Sequence, residues 1–267
     1  MWPSWVPVLD HKLTGCSHHN GRLTFEFDSS NGVPTGLYSC TDKSNTLNAS
    51  GVLISKVVDV TPTLIEPYTA NAFGTVLAFA EGLTPDPRRK GDLGGRRDTT
   101  TDSVLPSGWQ GIETRAALVL SAGAHCKGER FADQEALRGY QSFKKDLHIN
   151  DAVPRPRSLF ESDFEVVEMD VVENFAARYC RAICHALPYR AVFHTKDGHL
   201  GLGPKFTQPG DVVAILYGCK WPVVMRPLPT PGEYKFLECA YVYGIMDGEA
   251  VRRHIRIGRQ DDRFRIV

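Results

Sequence analysis

What this 267-residue sequence lacks narrows its class first. It has no excess of one charge, because 31 lysines and arginines meet 31 aspartates and glutamates. No global field therefore draws it to nucleic acid or to an anionic membrane. It has no long apolar run: Val212–Tyr217 is typical of the longest, far short of the about 20 residues a membrane helix needs. No basic start followed by an apolar stretch opens the chain, so no secretory leader is expected. Cysteine is scarce, odd in number and irregularly spaced, at Cys16, Cys40, Cys126, Cys180, Cys184, Cys219 and Cys239. That pattern excludes a disulfide framework and fits reduced thiols. The expectation is a soluble cytoplasmic protein without a cofactor.

Catalytic motifs are missing as well. There is no serine nucleophile elbow, no HExxH and no Walker lysine. Asp247 and Glu249 form a carboxylate pair in a turn-like segment, where exposed acids are routine. Cys180, Cys184 and His185 have metal-ligating types at helical spacing. However, the cysteines flank an apolar stripe and no second ligand set exists, so they are expected to be buried and inert. Cys16-Ser17-His18-His19 lacks a partner pair. Gly198-x-x-Gly201-x-Gly203 looks like a phosphate cradle, but no helix N-terminus follows it to hold an anion. Catalytic and metal residues are therefore expected to be none, and the protein is expected not to be an enzyme.

The patterns that are present give a mixed architecture. Leu23, Phe25 and Phe27 alternate with polar residues over 22–28, the period of a half-buried strand. A second strand signal surrounds Leu47, Ala49 and Ile54, interrupted at Gly51 by a bulge or a close backbone approach. Ala72, Phe73, Val76, Leu77 and Ala80 recur at helical spacing before Gly82. Residues 84–108 lose all periodicity and read as a mobile loop. Its basic cluster (Arg88, Arg89, Lys90, Arg96, Arg97) is a solvated charge run interleaved with Asp86, Asp92 and Asp98. Helices are expected near Ile112–Ala122 and Phe131–Leu147. A longer one over 162–187 opens with a Ser162/Glu165 capping box and carries the stripe Phe164, Val167, Val171, Phe175, Tyr179, Ile183 and Leu187.

Beyond Pro188 the texture turns to strands, at 189–195, 211–217, 222–226 and 234–243, with Asp197-Gly198 as a two-residue hairpin turn. Such a series predicts a small antiparallel barrel. The strand 211–217 is apolar on both faces and needs outside cover, which the stripe of the 162–187 helix is expected to supply. The fold class is α+β: a small antiparallel β-barrel joined by N-terminal strands, with a helical insertion and a long mobile loop. The expected organisation is a linker remnant at 1–20 and a single domain over 21–267. Within it lie strands at 22–60, the helical insertion at 66–187 with its disordered loop at 84–108, and the barrel at 188–267.

Particular residues in the C-terminal third carry a family resemblance. Thr195, Gly198, Gly201, Gly203 and Pro204, in the run from Val192 to Pro204, come first. Gly210, Asp211, Gly218 and Arg226 continue in register. Tyr241-Val242-Tyr243-Gly244-Ile245-Met246-Asp247-Gly248-Glu249 closes the series. Together they resemble the C-terminal region of fungal heterokaryon incompatibility proteins, whose signature reads Tyr-Val-x-Gly-Ile-Met-x-Gly-Glu. Pro3-Ser4-Trp5-Val6-Pro7 is similar to the segment that follows the HET domain in that family. The HET domain's Tyr-x-Trp-Gly and Trp-Ile-Asp-x-x-Cys-Ile-x-Gln motifs have no counterpart in these residues.

The resemblance implies a truncated, regulatory or recognition module of self/non-self recognition and cell-death signalling. It also implies a protein partner, the HET effector domain in intact relatives. A rival class is a nucleic-acid-binding barrel using Tyr217, Trp221, Tyr234, Tyr241 and Tyr243 with Arg252, Arg253, Arg256, Arg259, Arg263 and Arg265.

Overall fold

In the computed structural model the described residues are 27–34, 39–41, 46–63, 70–82, 111–125, 129–150 and 175–267. In chain order their elements are β1 (Ser39–Thr41), β2 (Thr46–Val60), α1 (Ala70–Ala80), α2 (Ile112–Leu120), α3 (Asp133–Asn150) and α4 (Phe175–Ala186). There follow β3 (Arg190–Thr195), β4 (Leu200–Pro204), β5 (Val212–Leu216), β6 (Val223–Pro227), β7 (Glu233–Cys239), β8 (Tyr241–Val242), α5 (Glu249–Arg256) and β9 (Asp262–Ile266). The fold is mixed α+β. Among the described residues no helix is long and apolar enough to cross a membrane.

One strand organises the sheet. β2, rich in β-branched residues over Val52–Val60, is 15 residues long; β1 pairs with its start at Thr46–Asn48, and three further antiparallel partners follow in succession. Leu47–Gly51 pair with β9, Gly51–Lys56 with β5, and Val57–Val60 with β3. From β5 the pairing passes to β6, β7 and β9, and β9 returns it to β2. β3, β4 and β8 extend the sheet away from this circuit.

One rung departs from the antiparallel expectation: β7 and β9 run parallel, Glu233 beside Arg265 and Tyr234 beside Ile266. A parallel pair needs a crossover rather than a hairpin, and the chain supplies it through β8 and α5. β9 itself falls where the sequence reads as a basic tail. Its arginines alternate with Phe264 and Ile266, both buried.

Side chains of all five strands in the circuit meet inside it: Ala49, Val212, Ala214, Leu216, Val223, Met225, Phe264 and Ile266 are buried there, with Tyr234 and Phe236 packed against them. The opposite face of β5, Val213 and Ile215, is buried too, but not by the helix expected to cover it. Phe193 of β3, Val242 of β8, Ile245 of the turn that follows β8 and Val251 of α5 close over it. Tyr179, Cys180 and Ile183 of α4 pack instead with α1, α2, α3 and the apolar side chains Val192, Leu200 and Leu202 of β3 and β4. The helices are therefore a second layer on the β3–β4 extension. Lys144 of α3 braces that layer, reaching Glu81 and Glu113 at 2.6 Å each, while Tyr140 donates its hydroxyl to Glu81 at 2.6 Å.

Other local expectations shift. Phe27 lies outside any strand, because the chain turns at Asp28–Asn31. Leu23 and Phe25 lie outside the described residues, as do Ser162, Glu165, the 84–108 segment and residues 1–20. The Asp197-Gly198 hairpin is a three-residue loop: Gly198 N–H donates to Thr195 O (3.0 Å) and Thr195 N–H to His199 O (2.9 Å). Gly198 alone in that loop takes positive φ, at 84°, the arrangement of a type I turn followed by a left-handed glycine.

Candidate functional site

The structure gathers the signature residues into three groups. The first is the β3–β4 hairpin. Gly201 and Gly203 do not sit at a turn or strand edge; they lie in β4, paired on one side with β3 and on the other with β8. Glycine is a poor strand former because it leaves an unpacked space. Here the ring of Phe193, directly opposite Gly201 in the ladder, fills that space. A Cβ on Gly201 would overlap the ring, and one on Gly203 would come within 2.9 Å of both the ring and the Thr207 hydroxyl. Thr195 accepts the His199 N–H at 3.0 Å through its hydroxyl, and the Pro204 carbonyl accepts the Thr207 hydroxyl at 2.6 Å. Gly201→Ala is expected to lower stability by about 2 kcal/mol through overpacking. Adding Phe193→Leu should return part of that loss, measured by urea denaturation. Additive effects would show that the ring does not set the glycine requirement.

The second group fixes the turn into β5. Gly210, at φ 102°, donates its N–H to Val57 O at 2.9 Å. Asp211, buried, holds Arg226 of β6 in a two-pronged pair (2.8 and 3.0 Å). That carboxylate raises the guanidinium above the usual arginine value. Gly218, at φ 81°, turns the chain out of β5.

The third group, Tyr241–Glu249, forms a cradle for residues 27–33. Phe27 inserts between Trp221 and Tyr241, with ring centroids at 4.9 and 5.7 Å, and the Arg130 guanidinium covers its face at 4.1 Å. Arg130 also bonds Asp247 at 2.6 Å. Asp28 N–H donates to Met246 O and Ser29 N–H to Lys220 O, each at 3.1 Å. The Ser29 hydroxyl donates to Cys219 O at 3.3 Å. Asn31 and Gly32 both take positive φ (55° and 68°), which suits an Asn-Gly pair. Arg252 of α5 then clamps the turn, donating to Asn31 Oδ1 at 2.9 Å and to Asp247 O at 2.7 Å.

Gly248 must be glycine twice over. Its φ is 79°, and a Cβ would lie 2.6 Å from that of Asn31. Gly244 takes φ 82°, Met246 sulfur accepts the Val242 N–H at 3.3 Å, and Glu249 accepts the Asp247 N–H at 2.8 Å. Burial pushes the Tyr241 phenol far above its ordinary value, helped by the acids around it.

Of the cradle's contacts, Asn31, Arg130 and Arg252 carry no local sequence signal that marks them as partners. The signature around Gly248 was the visible half, and the loop it holds lies more than 200 residues upstream. Cys180 and Cys184 are buried and outside any disulfide, and among the described residues no three His, Cys, Asp or Glu side chains are grouped to hold a metal. Of the aromatics that suggested a nucleic-acid barrel, Tyr217 and Tyr241 are buried, Trp221 meets Phe27 edge to face, Tyr234 packs on Phe264, and Tyr243 lies against the helical core.

These features define an α+β protein whose sheet circuit and glycine-bearing turns grip residues 27–33. Comparison with known proteins makes the class specific: residues 139–261 match the Het-6 beta-barrel domain. Over 57 residues the chain is 47% identical to Heterokaryon incompatibility protein 6, OR allele, of Neurospora crassa. That match covers 21% of this chain and 8% of the relative. No solved structure matches. The chain thus contains a region related to fungal heterokaryon incompatibility proteins. β2 and residues 27–33 lie outside the matched residues, yet the first completes the sheet circuit and the second fills the cradle.

Proposed function

We propose that the chain is a non-enzymatic recognition or regulatory module in fungal heterokaryon incompatibility, with the five-strand circuit as its barrel. The observation that carries this reading is the cradle: the family-signature turn is spent on holding residues 27–33 rather than on lining a reactive cleft. By its resemblance, the segment before residue 27 follows a HET effector domain in intact relatives. The cradle then fixes where an effector stands relative to the barrel and restrains it.

The test uses the purified chain and the HET domain of the Neurospora relative as separate proteins. Titration calorimetry should show binding by the wild type, weakened at least tenfold in Gly248→Ala, which displaces Asn31. Absence of binding by the wild type overturns the partner assignment. Turnover of any substrate that one point substitution abolishes overturns the non-enzymatic assignment. Hydrogen exchange gives a second readout: Gly248→Ala should expose the amides of Asp28 and Ser29 while those of β5 stay protected.

A further inference from the structure

The chain is neutral as a whole, but its charge is unevenly spread: residues 249–267 hold six arginines against three acids. Each of those acids spends an oxygen on the protein itself. Asp261 Oδ1 accepts the Tyr217 hydroxyl at 2.6 Å and lies 3.1 Å from His254 Nε2. Asp262 Oδ2 accepts the Leu53 N–H at 2.7 Å, and Glu249 is held by Asp247 N–H. Two of the arginines are occupied too, Arg252 in the cradle and Arg265 on Glu233 at 3.1 Å. The guanidinium groups of Arg253, Arg256, Arg259 and Arg263 are exposed and have no hydrogen bond or ion pair among the described residues. The helix dipole accounts for Arg253 and Arg256, which lie in the last turn of α5 where cations are favoured. It leaves Arg259 and Arg263, beyond the helix, without a reason to be basic.

Apolar side chains stand among these charges. Scattered singly, exposed apolar residues are ordinary. Here Ile255 is 57% and Ile257 49% exposed, and Leu53, 41% exposed, is tied to the same turn through Asp262. Every residue from 255 to 261 is exposed, so the turn from α5 into β9 projects from the fold. It is nonetheless held in shape. Ile257 N–H donates to Arg253 O and Gly258 N–H to Ile255 O, each at 3.0 Å, and Gly258 takes φ 63°. The contact of Asp261 with His254 and Tyr217 closes its base. A projecting tip offers no groove to a peptide. It carries no aromatic ring for a base to stack on, since Phe264 is buried. Isoleucines flanked by unpaired arginines suit a surface that is negatively charged and yields to apolar side chains, which is the face of an anionic bilayer.

We propose that the α5–β9 turn is a peripheral membrane-binding tip. Ile255 and Ile257 enter the boundary between headgroups and acyl chains, and Arg256, Arg259 and Arg263 meet the anionic headgroups. This inference does not depend on the cradle or on an effector partner.

The experiment is co-sedimentation of the full chain with vesicles of phosphatidylcholine, alone or with about 30 mol % phosphatidylserine. Binding is expected at least tenfold tighter to the anionic vesicles, and it should be lost as salt rises from about 0.1 to about 1 M. Arg256→Gln with Arg259→Gln should weaken it by about tenfold or more, because each basic residue near such a surface contributes roughly a fivefold factor. Arg138→Gln with Lys145→Gln makes the same charge change at exposed positions of α3 and should leave binding as it is. Ile255→Ser with Ile257→Ser keeps every charge and should also weaken binding at least several-fold. All these positions are exposed, so unchanged melting curves should accompany each variant. Binding that ignores the isoleucines, or that is equal on neutral vesicles, would overturn the tip. So would equal losses in the α3 control, or displacement from the vesicles by poly-glutamate or duplex DNA at matched charge, which would give the surface to an acidic protein or to nucleic acid.

Discussion

Replacing Gly51 by alanine is expected to lower stability by about 3 kcal/mol or more, through backbone overpacking that no side-chain motion relieves. Gly51 stands where β2 passes from one partner to the next, paired at once with Leu216 of β5 and Asp262 of β9. A Cβ there would overlap the carbonyl oxygen of Ile215, and the next nearest atoms are also backbone, at 3.0 Å. The only relief is to part β2 from β5, which opens the circuit and wets Val213 and Ile215. Losing that much from a domain of ordinary stability, about 5–15 kcal/mol, should shift the urea midpoint strongly. Gly74→Ala is the control. In α1, with nothing within 4 Å of its would-be Cβ, it should gain up to about 1 kcal/mol from helix propensity. A Gly51→Ala midpoint equal to wild type would mean that β2 does not cross β5 at this residue.

Gly51 also shows what a sequence reveals and what it hides. The pattern marked a break at this position, and the break is a close approach; the irregularity in pairing with β5 lies further on, between Leu53 and Ser55. The helices were legible because their buried stripes, such as Tyr140, Phe143 and Leu147, are periodic within one segment. β4 was hidden because two of its five residues are glycine, and the ring that substitutes for their side chains belongs to another strand. β9 was hidden because its arginines drew attention to charge, although Phe264 and Ile266 alternate with them in the two-residue period of a strand. The cover of β5 was misassigned because an apolar stripe says that a helix is buried, not against what. For the cradle, the signature around Tyr241–Glu249 was visible as a resemblance. Its complement, Phe27 to Asn31 with Arg130, is assembled only by folding, so no spacing rule could have found it.

The second large effect is expected at Asp211. Its carboxylate, 1% exposed, faces a guanidinium that is 29% exposed, so solvent screens the pair only in part. Besides the two prongs to Arg226, Oδ2 accepts the N–H of Gln208 at 2.9 Å. Arg226 spends its second nitrogen on the carbonyl of Phe206 as well, at 2.7 Å. The backbone of Asp211 accepts the Val57 N–H at 2.8 Å, so one residue ties the turn into β5 to both β6 and β2. Asp211→Ala strips the guanidinium of its counter-charge and leaves the Gln208 N–H unpaired, an expected loss of about 3 kcal/mol. Arg226→Met alone strands a buried carboxylate and should cost a similar amount. The double variant removes both charges together, and it should be no worse than either single one. The resulting coupling of at least about 1.5 kcal/mol, read from a urea double-mutant cycle, lies well outside additivity for independent sites. Additive losses would mean that the two residues act separately, and that the turn is held by its backbone bonds to Val57 alone.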